Sequence, residues 1–190
     1  MQDDDAFNDD GYEVVRQEFF ARVHEPSITF THRTVSVNTA CLKRLPDVDY
    51  VQLLINQEER IVKIRPSSED EKDALAWCAL GAKRCPKQIV GPAFIVGVMN
   101  MMGWNPDYRY KVLGKFYCSN GRSLFVFDLT MPNIYQRASN DGENPKFARH
   151  PTFPKEWENQ FGLPVAEHSK RFQVRIFKDH IIFEIKENTP

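Results

Sequence analysis

The sequence predicts an α+β fold: a mostly antiparallel sheet built from two strand-helix-hairpin units, with helices packed on one face, plus a C-terminal hairpin. Three observations lead there. Residues 34–65 and 86–129 follow one order of strand, helix, Asp-Tyr, strand, turn, strand, with Asp49-Tyr50 and Asp107-Tyr108 just ahead of each hairpin. Ser119-Asn-Gly-Arg122 joins two β-rich runs through the dipeptide that type I′ turns prefer. Ala93–Met102 is apolar nearly all round, as a central core helix would be. Two units are too few for a solenoid, which needs three or more.

The elements follow in order. The polar residues 1–11 are expected to be a disordered acidic tail, and 12–190 a single α+β domain. Tyr12–Val23 has no clean period and fits a short strand or a helical turn equally. Ile28 and Phe30 alternate with threonines, Val35 and Val37 with Thr34 and Ser36, and the parity changes between them, which predicts two short strands joined by a turn or bulge. Asn38 suits the N-cap of a short helix through Leu45. Val51, Leu53 and Ile55 share one strand face, and the return strand Ile61–Arg65 turns Val62 and Ile64 inward and Lys63 and Arg65 outward. Ser68 three residues before Glu71 reads as a capping box that opens a helix to Leu80, stopped by Gly81. Pro92 suits the first turn of the core helix and Gly103 its end. Gln136–Thr152 reads as a loop, Pro154–Phe161 as a short helix closed by Gly162, and Arg171–Phe177 with Ile181–Lys186 as the final hairpin.

Composition bounds the function. A chain of 190 residues, 42% hydrophobic and 27% charged, is globular, and no run approaches a membrane span. The acidic start is unlike a signal peptide, so a cytoplasmic protein is expected. Cys41, Cys78, Cys85 and Cys118 form no Cys-x-x-Cys pair, and no His stands at zinc-ligand spacing beside them; a Cys78/Cys85 half-site would need a distant Cys or His to complete it, so reduced, partly buried thiols are expected and no metal or cofactor. Residues 1–13 carry six acids and no base, so the net charge of −1 conceals a body of +5.

No catalytic set emerges. The chain has no phosphate-binding glycine loop, no Gly-x-Ser-x-Gly elbow and no His-Glu-x-x-His helix. His168 and Arg171 have a spacing found in tyrosine recombinases, yet no tyrosine follows them. The richest pattern is the strand Asp107–Cys118. Tyr108, Tyr110, Val112 and Phe116 occupy one face, and Arg109, Lys111, Leu113, Lys115 and Tyr117 the other. Cations interleaved with an aromatic on one strand face suit a nucleic-acid strand and its phosphates, and Lys63 and Arg65 would extend that face. Lys83 and Arg84 form a second basic cluster, which can meet phosphate or complement the preceding helix dipole. Asp107, Asp128, Glu156, Glu158, Glu167 and Asp179 are the carboxylates a metal-dependent nuclease would need.

Asp49-Tyr-Val-Gln-Leu-Leu-Ile-Asn56, Ile64-Arg-Pro66 with Glu71-Lys-Asp-Ala74, Met102-Gly-Trp-Asn-Pro-Asp-Tyr-Arg-Tyr-Lys111 and Phe161-Gly-Leu-Pro-Val-Ala-Glu-His168 carry a resemblance. Together, over roughly Tyr12 to Ile185, the chain resembles a poorly characterised family of bacterial proteins, some labelled integrase or found near mobile-element genes. The resemblance implies a context of DNA mobility and no reaction, since the recombinase arginine–histidine–tyrosine set is missing. The expectation is a non-enzymatic DNA-associated accessory or regulatory protein. Its alternatives are an assembly module for a recombinase or relaxase, with an apolar patch around Trp104, Tyr108 or Phe177, and a metal-dependent nuclease.

Overall fold

The structure is a computed structural model and describes residues 9–20, 22–79, 84–136, 147–177 and 180–185. In chain order its elements are β1 (Glu13–Val15), β2 (Ser27–Phe30), β3 (Thr34–Val37), α1 (Thr39–Arg44), β4 (Tyr50–Asn56), β5 (Ile61–Ser67), β6 (Leu75–Ala76), β7 (Ile89–Val90), α2 (Pro92–Met102), β8 (Arg109–Ser119), β9 (Arg122–Asp128), β10 (Asn133–Tyr135), β11 (Gly162–Pro164), α3 (Val165–Arg171), β12 (Phe172–Phe177) and β13 (His180–Ile185). The fold is sheet-rich, antiparallel and poor in helix, and it falls into two compact units.

The larger unit, Arg22–Thr152, holds one antiparallel sheet in the order β6-β4-β5-β9-β8-β2-β3-β7, with β10 added to β8. An antiparallel bridge between Cys78 and Pro86 joins the chain just past β6 to the chain just before β7, so the sheet is nearly closed into a barrel. Closure of this kind removes the open edges that invite aggregation. The period-two pattern sets the inside: Ile28, Phe30, Val35, Val51, Val62, Ile64, Val112, Phe125 and Phe127 are all buried. Cys41, Leu42 and Leu45 from α1 and Ile95, Val98 and Met99 from α2 join the same core.

Several local signals act as expected. The Asn38 side chain caps α1 by accepting from the Cys41 amide at 3.3 Å. Asn120 and Gly121 carry φ values of 50° and 73°, the paired left-handed geometry of a type I′ turn between β8 and β9. Gly103 ends α2 at φ 63°.

Other expectations fail for reasons of packing. No helix runs from Ser68 to Leu80: turns lead through Asp73, at φ 64°, into β6, which pairs with Tyr50 and Val51 of β4. Leu80 and Gly81 lie outside the described residues. Trp77 then enters the core and its indole N–H donates to the Val48 carbonyl at 2.8 Å, a bond that a helix would not deliver. Helix α2 is one-sided, because Val96 stays 55% exposed. The strand β10 and the helix α3 have no counterpart in the sequence reading.

The smaller unit comprises Met1–Ala21 and Phe153–Pro190. Here β1 pairs with β11, and the Glu13 carboxylate accepts from the Phe161 and Gly162 amides at 2.8 and 3.1 Å. Phe19, Phe153 and Trp157 form an aromatic cluster with the Arg16 guanidinium 4.4 Å over the Trp157 ring. The helix expected over 154–161 shrinks to a single 3-10 turn at Lys155–Trp157, and Gly162 opens β11 instead of closing a helix. A Cβ at Gly162 would overlap the Val14 carbonyl, which is why the close β1–β11 approach needs glycine there. The hairpin expected at the C-terminus is present as β12 and β13.

Candidate functional site

The basic strand β8 is built as its alternation dictates, but its outer face has two unlike halves. Tyr110 and Val112 point into the core, so Arg109, Lys111 and Leu113 point outward. These three are half-buried, whereas Lys115 and Tyr117, past Gly114, are exposed.

The open half continues across the sheet. Lys115 is the register partner of Val126 on β9, and Val126 is the partner of Lys63 on β5. Directly paired residues share a face, so Lys63 and Lys115 flank Val126 on one side, about 10 Å apart at two strand spacings. Tyr117 and Arg65 lie two residues along from these lysines on the same face. Both residues are exposed. Arg65 is held by its cross-strand partner: its Nε and Nη2 donate to Gln52 Oε1 at 2.8 and 2.6 Å. Gln52 is fixed in turn by donating to the Lys72 carbonyl at 2.7 Å.

The other half is clothed by residues the sequence reading missed. Tyr135 of β10 pairs in register with Arg109, and the Arg109 guanidinium carbon lies 4.6 Å from the Tyr135 ring centre and 5.1 Å from that of Phe147. Such contacts are cation–π interactions. Burial pulls the Lys111 ammonium below its usual range, the charge of Arg109 adds to this, and Glu25 acts against it. The sequence holds a weak signal for β10, the β-prone Ile134-Tyr135 shortly after Pro132, but nothing local says which strand it joins.

Arg84 is spent inside the protein. Its Nε pairs with Asp49 Oδ1 at 3.0 Å, and its remaining N–H groups donate to the carbonyls of Leu45, Pro46 and Val48 at the exit of α1. The carbonyl pole of that helix end has taken the cation that was a candidate for phosphate. Lys83 lies outside the described residues. Of the candidate acids, Asp128 accepts from the Thr130 amide and hydroxyl, Glu156, Glu158 and Glu167 belong to the smaller unit, and Asp179 lies outside the described residues. Among the described residues no three His, Cys, Asp or Glu side chains gather as a metal site would require.

All four thiols are free, with Cys41 and Cys78 buried and Cys85 and Cys118 exposed. Burial pushes the Cys41 thiol up to about 11. Burial also raises Cys78, helped by its bond to Asp49 and opposed by Arg84. Mass spectrometry after iodoacetamide treatment of the native protein at pH 8 should therefore find Cys85 and Cys118 alkylated first. Equal rates at all four would contradict this burial.

Trp104 and Tyr108, expected in an exposed apolar patch, instead pack on the core, with Trp104 stacked on Tyr110 at 4.2 Å. Among the described residues no helix is long and apolar enough to cross a membrane. The net charge divides with the fold: residues 22–152 sum to +5, and the rest of the chain to −6. Compared with known proteins, the chain matches no family model, no curated protein and no solved structure.

Proposed function

We propose that the protein is a non-enzymatic, DNA-associated accessory or regulatory protein of a mobile-element context, and that it contacts phosphates through the outer face of β5, β9 and β8. The observation that carries this reading is the row Lys63–Val126–Lys115 with Arg65 and Tyr117 beside it, exposed on the basic unit. Lysines supply sequence-independent attraction to phosphates, and a tyrosine among them offers a ring on which an unpaired base can stack. Single-stranded DNA suits the face best, because a strand's bases are free to meet Tyr117.

Fluorescence anisotropy with single-stranded and duplex oligonucleotides over a salt series tests it. Lys63→Glu with Lys115→Glu should weaken single-strand binding at low salt by at least about tenfold, and should flatten the log–log salt slope by about 1.4, at roughly 0.7 per lost phosphate contact. Wild-type protein that binds no oligonucleotide, or binding indifferent to salt and to this double reversal, would refute the reading.

The repeat belongs to the same proposal: the sheet is two strand-helix-hairpin units, one from β3 to β5 and one from β7 to β9. Its support is that like meets like, antiparallel, at both junctions: β3 pairs with β7, and β5 with β9. A second functional reading, assembly with a recombinase or relaxase, draws on the smaller unit, where exposed Val15, Phe20 and Phe161 surround a groove also lined by Phe19 and Trp157.

A further inference from the structure

We infer that Arg109 and Lys111 form a seat for one phosphate group, taken edge-on by the Arg109 guanidinium and separate from the Lys63–Lys115 row. The two side chains leave β8 on the same face, about 7 Å apart along the strand. Two aromatic rings, Tyr135 and Phe147, already hold the guanidinium by cation–π contact. A base therefore has little room to stack there, and the planar N–H edge is what Arg109 can present to a ligand. That edge matches the two oxygens of a phosphate.

Among the described residues no ion pair answers the charge of the seat. Among the described residues the ion pairs are Arg22–Glu25 and Arg84–Asp49, and neither involves Arg109 or Lys111. The carboxylate acting on Lys111 is Glu25, and Glu25 is the partner of Arg22. Two half-buried cations side by side repel each other, and a bound anion relieves that repulsion. Asn133, the register partner of Lys111, adds an amide at the same place. The clamp costs the guanidinium its rotational freedom before any ligand arrives, which is the preorganisation that a single-anion site needs.

The phosphate is either that of a nucleic-acid backbone, which rests on the function proposed above, or a free phosphate; the experiment separates the two. The whole chain is titrated with inorganic phosphate while the arginine Nε–Hε resonances are followed by NMR, and with a single-stranded oligonucleotide by anisotropy. Saturable movement of the Arg109 resonance is expected. Arg109→Lys, which keeps the charge but loses the planar edge, should weaken phosphate binding about tenfold. Tyr135→Leu should weaken it severalfold and Tyr135→Phe should restore it, whereas Arg122→Lys should change nothing. Circular dichroism of each variant separates misfolding from loss of the site.

An Arg109 resonance that ignores phosphate, or an Arg109→Lys variant that binds like the wild type, overturns the seat even if the oligonucleotide still binds through Lys63 and Lys115. Phosphate held with no oligonucleotide bound leaves the seat standing as a free-phosphate site and refutes the proposed function alone. Loss of both affinities in Arg109→Lys assigns the seat to the nucleic-acid backbone.

Discussion

Trp77→Ala is expected to cost about 3–5 kcal/mol of folding stability, a large share of the roughly 5–15 kcal/mol that a domain possesses. Trp77 is 1% exposed and is among the largest fully buried side chains. Its ring lies 6.1 Å from that of Phe125, and its N–H satisfies the Val48 carbonyl. Truncation therefore opens a cavity and removes one of the two donors to that carbonyl, leaving it to Arg84 alone. Both losses fall where the barrel closes, since the Trp77 carbonyl also accepts from the Lys87 amide at 3.0 Å beside the Cys78–Pro86 bridge. In urea, with a slope of about 1–3 kcal/mol per M, the midpoint should fall by at least about 1 M. Trp77→Phe refills most of the space without the donor and should recover more than half of the loss. A midpoint shift below about 0.3 M for the alanine variant would mean that the indole does not hold this seam.

The same residue shows where sequence reasoning stops. Glu69-Asp-Glu-Lys-Asp-Ala-Leu-Ala has the composition of a helix and begins with a capping box, and every local signal agrees. What overrides it is distant: β4 takes Leu75 and Ala76 as strand partners, and the core takes Trp77. By contrast, the Asn38 cap, the Asn120-Gly121 turn and the alternation in β2, β3, β5 and β8 are decided within a few residues, and each was legible. The division of the chain into two units gives no local sign, because β1 finds its partner β11 at the far end of the sequence. The candidate site divides in the same way. Alternation on β8 and β5 placed Arg109, Lys111, Lys115, Tyr117, Lys63 and Arg65 outward, and they are outward. It did not tell which of them are covered, because Tyr135 and Phe147 reach Arg109 from later in the chain. Nor did it separate Arg84 from a ligand-binding arginine, since the carbonyls that consume it only come together on folding.

Gly114→Ala is expected to destabilise the protein by about 2–3 kcal/mol, and Gly114→Val by more, through overpacking. Gly114 is the point at which β8 changes partners: Ser27–Phe30 of β2 pair with the residues up to Leu113, and β9 pairs from Gly114 onward. A Cβ there would clash with the edge of the Phe127 ring, 2.4 Å from its Cδ1 and Cε1, and stand 2.9 Å from the Val126 carbonyl. Phe127 is fully buried and is the register partner of Gly114, so its ring lies across the bare backbone and cannot retreat. The origin of the cost can be tested by a double-mutant cycle with Phe127→Leu. If the ring is the obstacle, the two changes should couple by at least about 1 kcal/mol in urea unfolding, because the smaller side chain makes room for the methyl group. Additive losses would place the strain in the backbone at Val126 instead. The substitution also reaches the proposed function, because Lys115 and Tyr117 follow directly after the glycine and Val126 stands between the two lysines. A Gly114→Ala protein, still folded at low temperature, should therefore bind single-stranded DNA more weakly than the wild type while its Arg109 side chain, on the near side of the corner, still answers to phosphate.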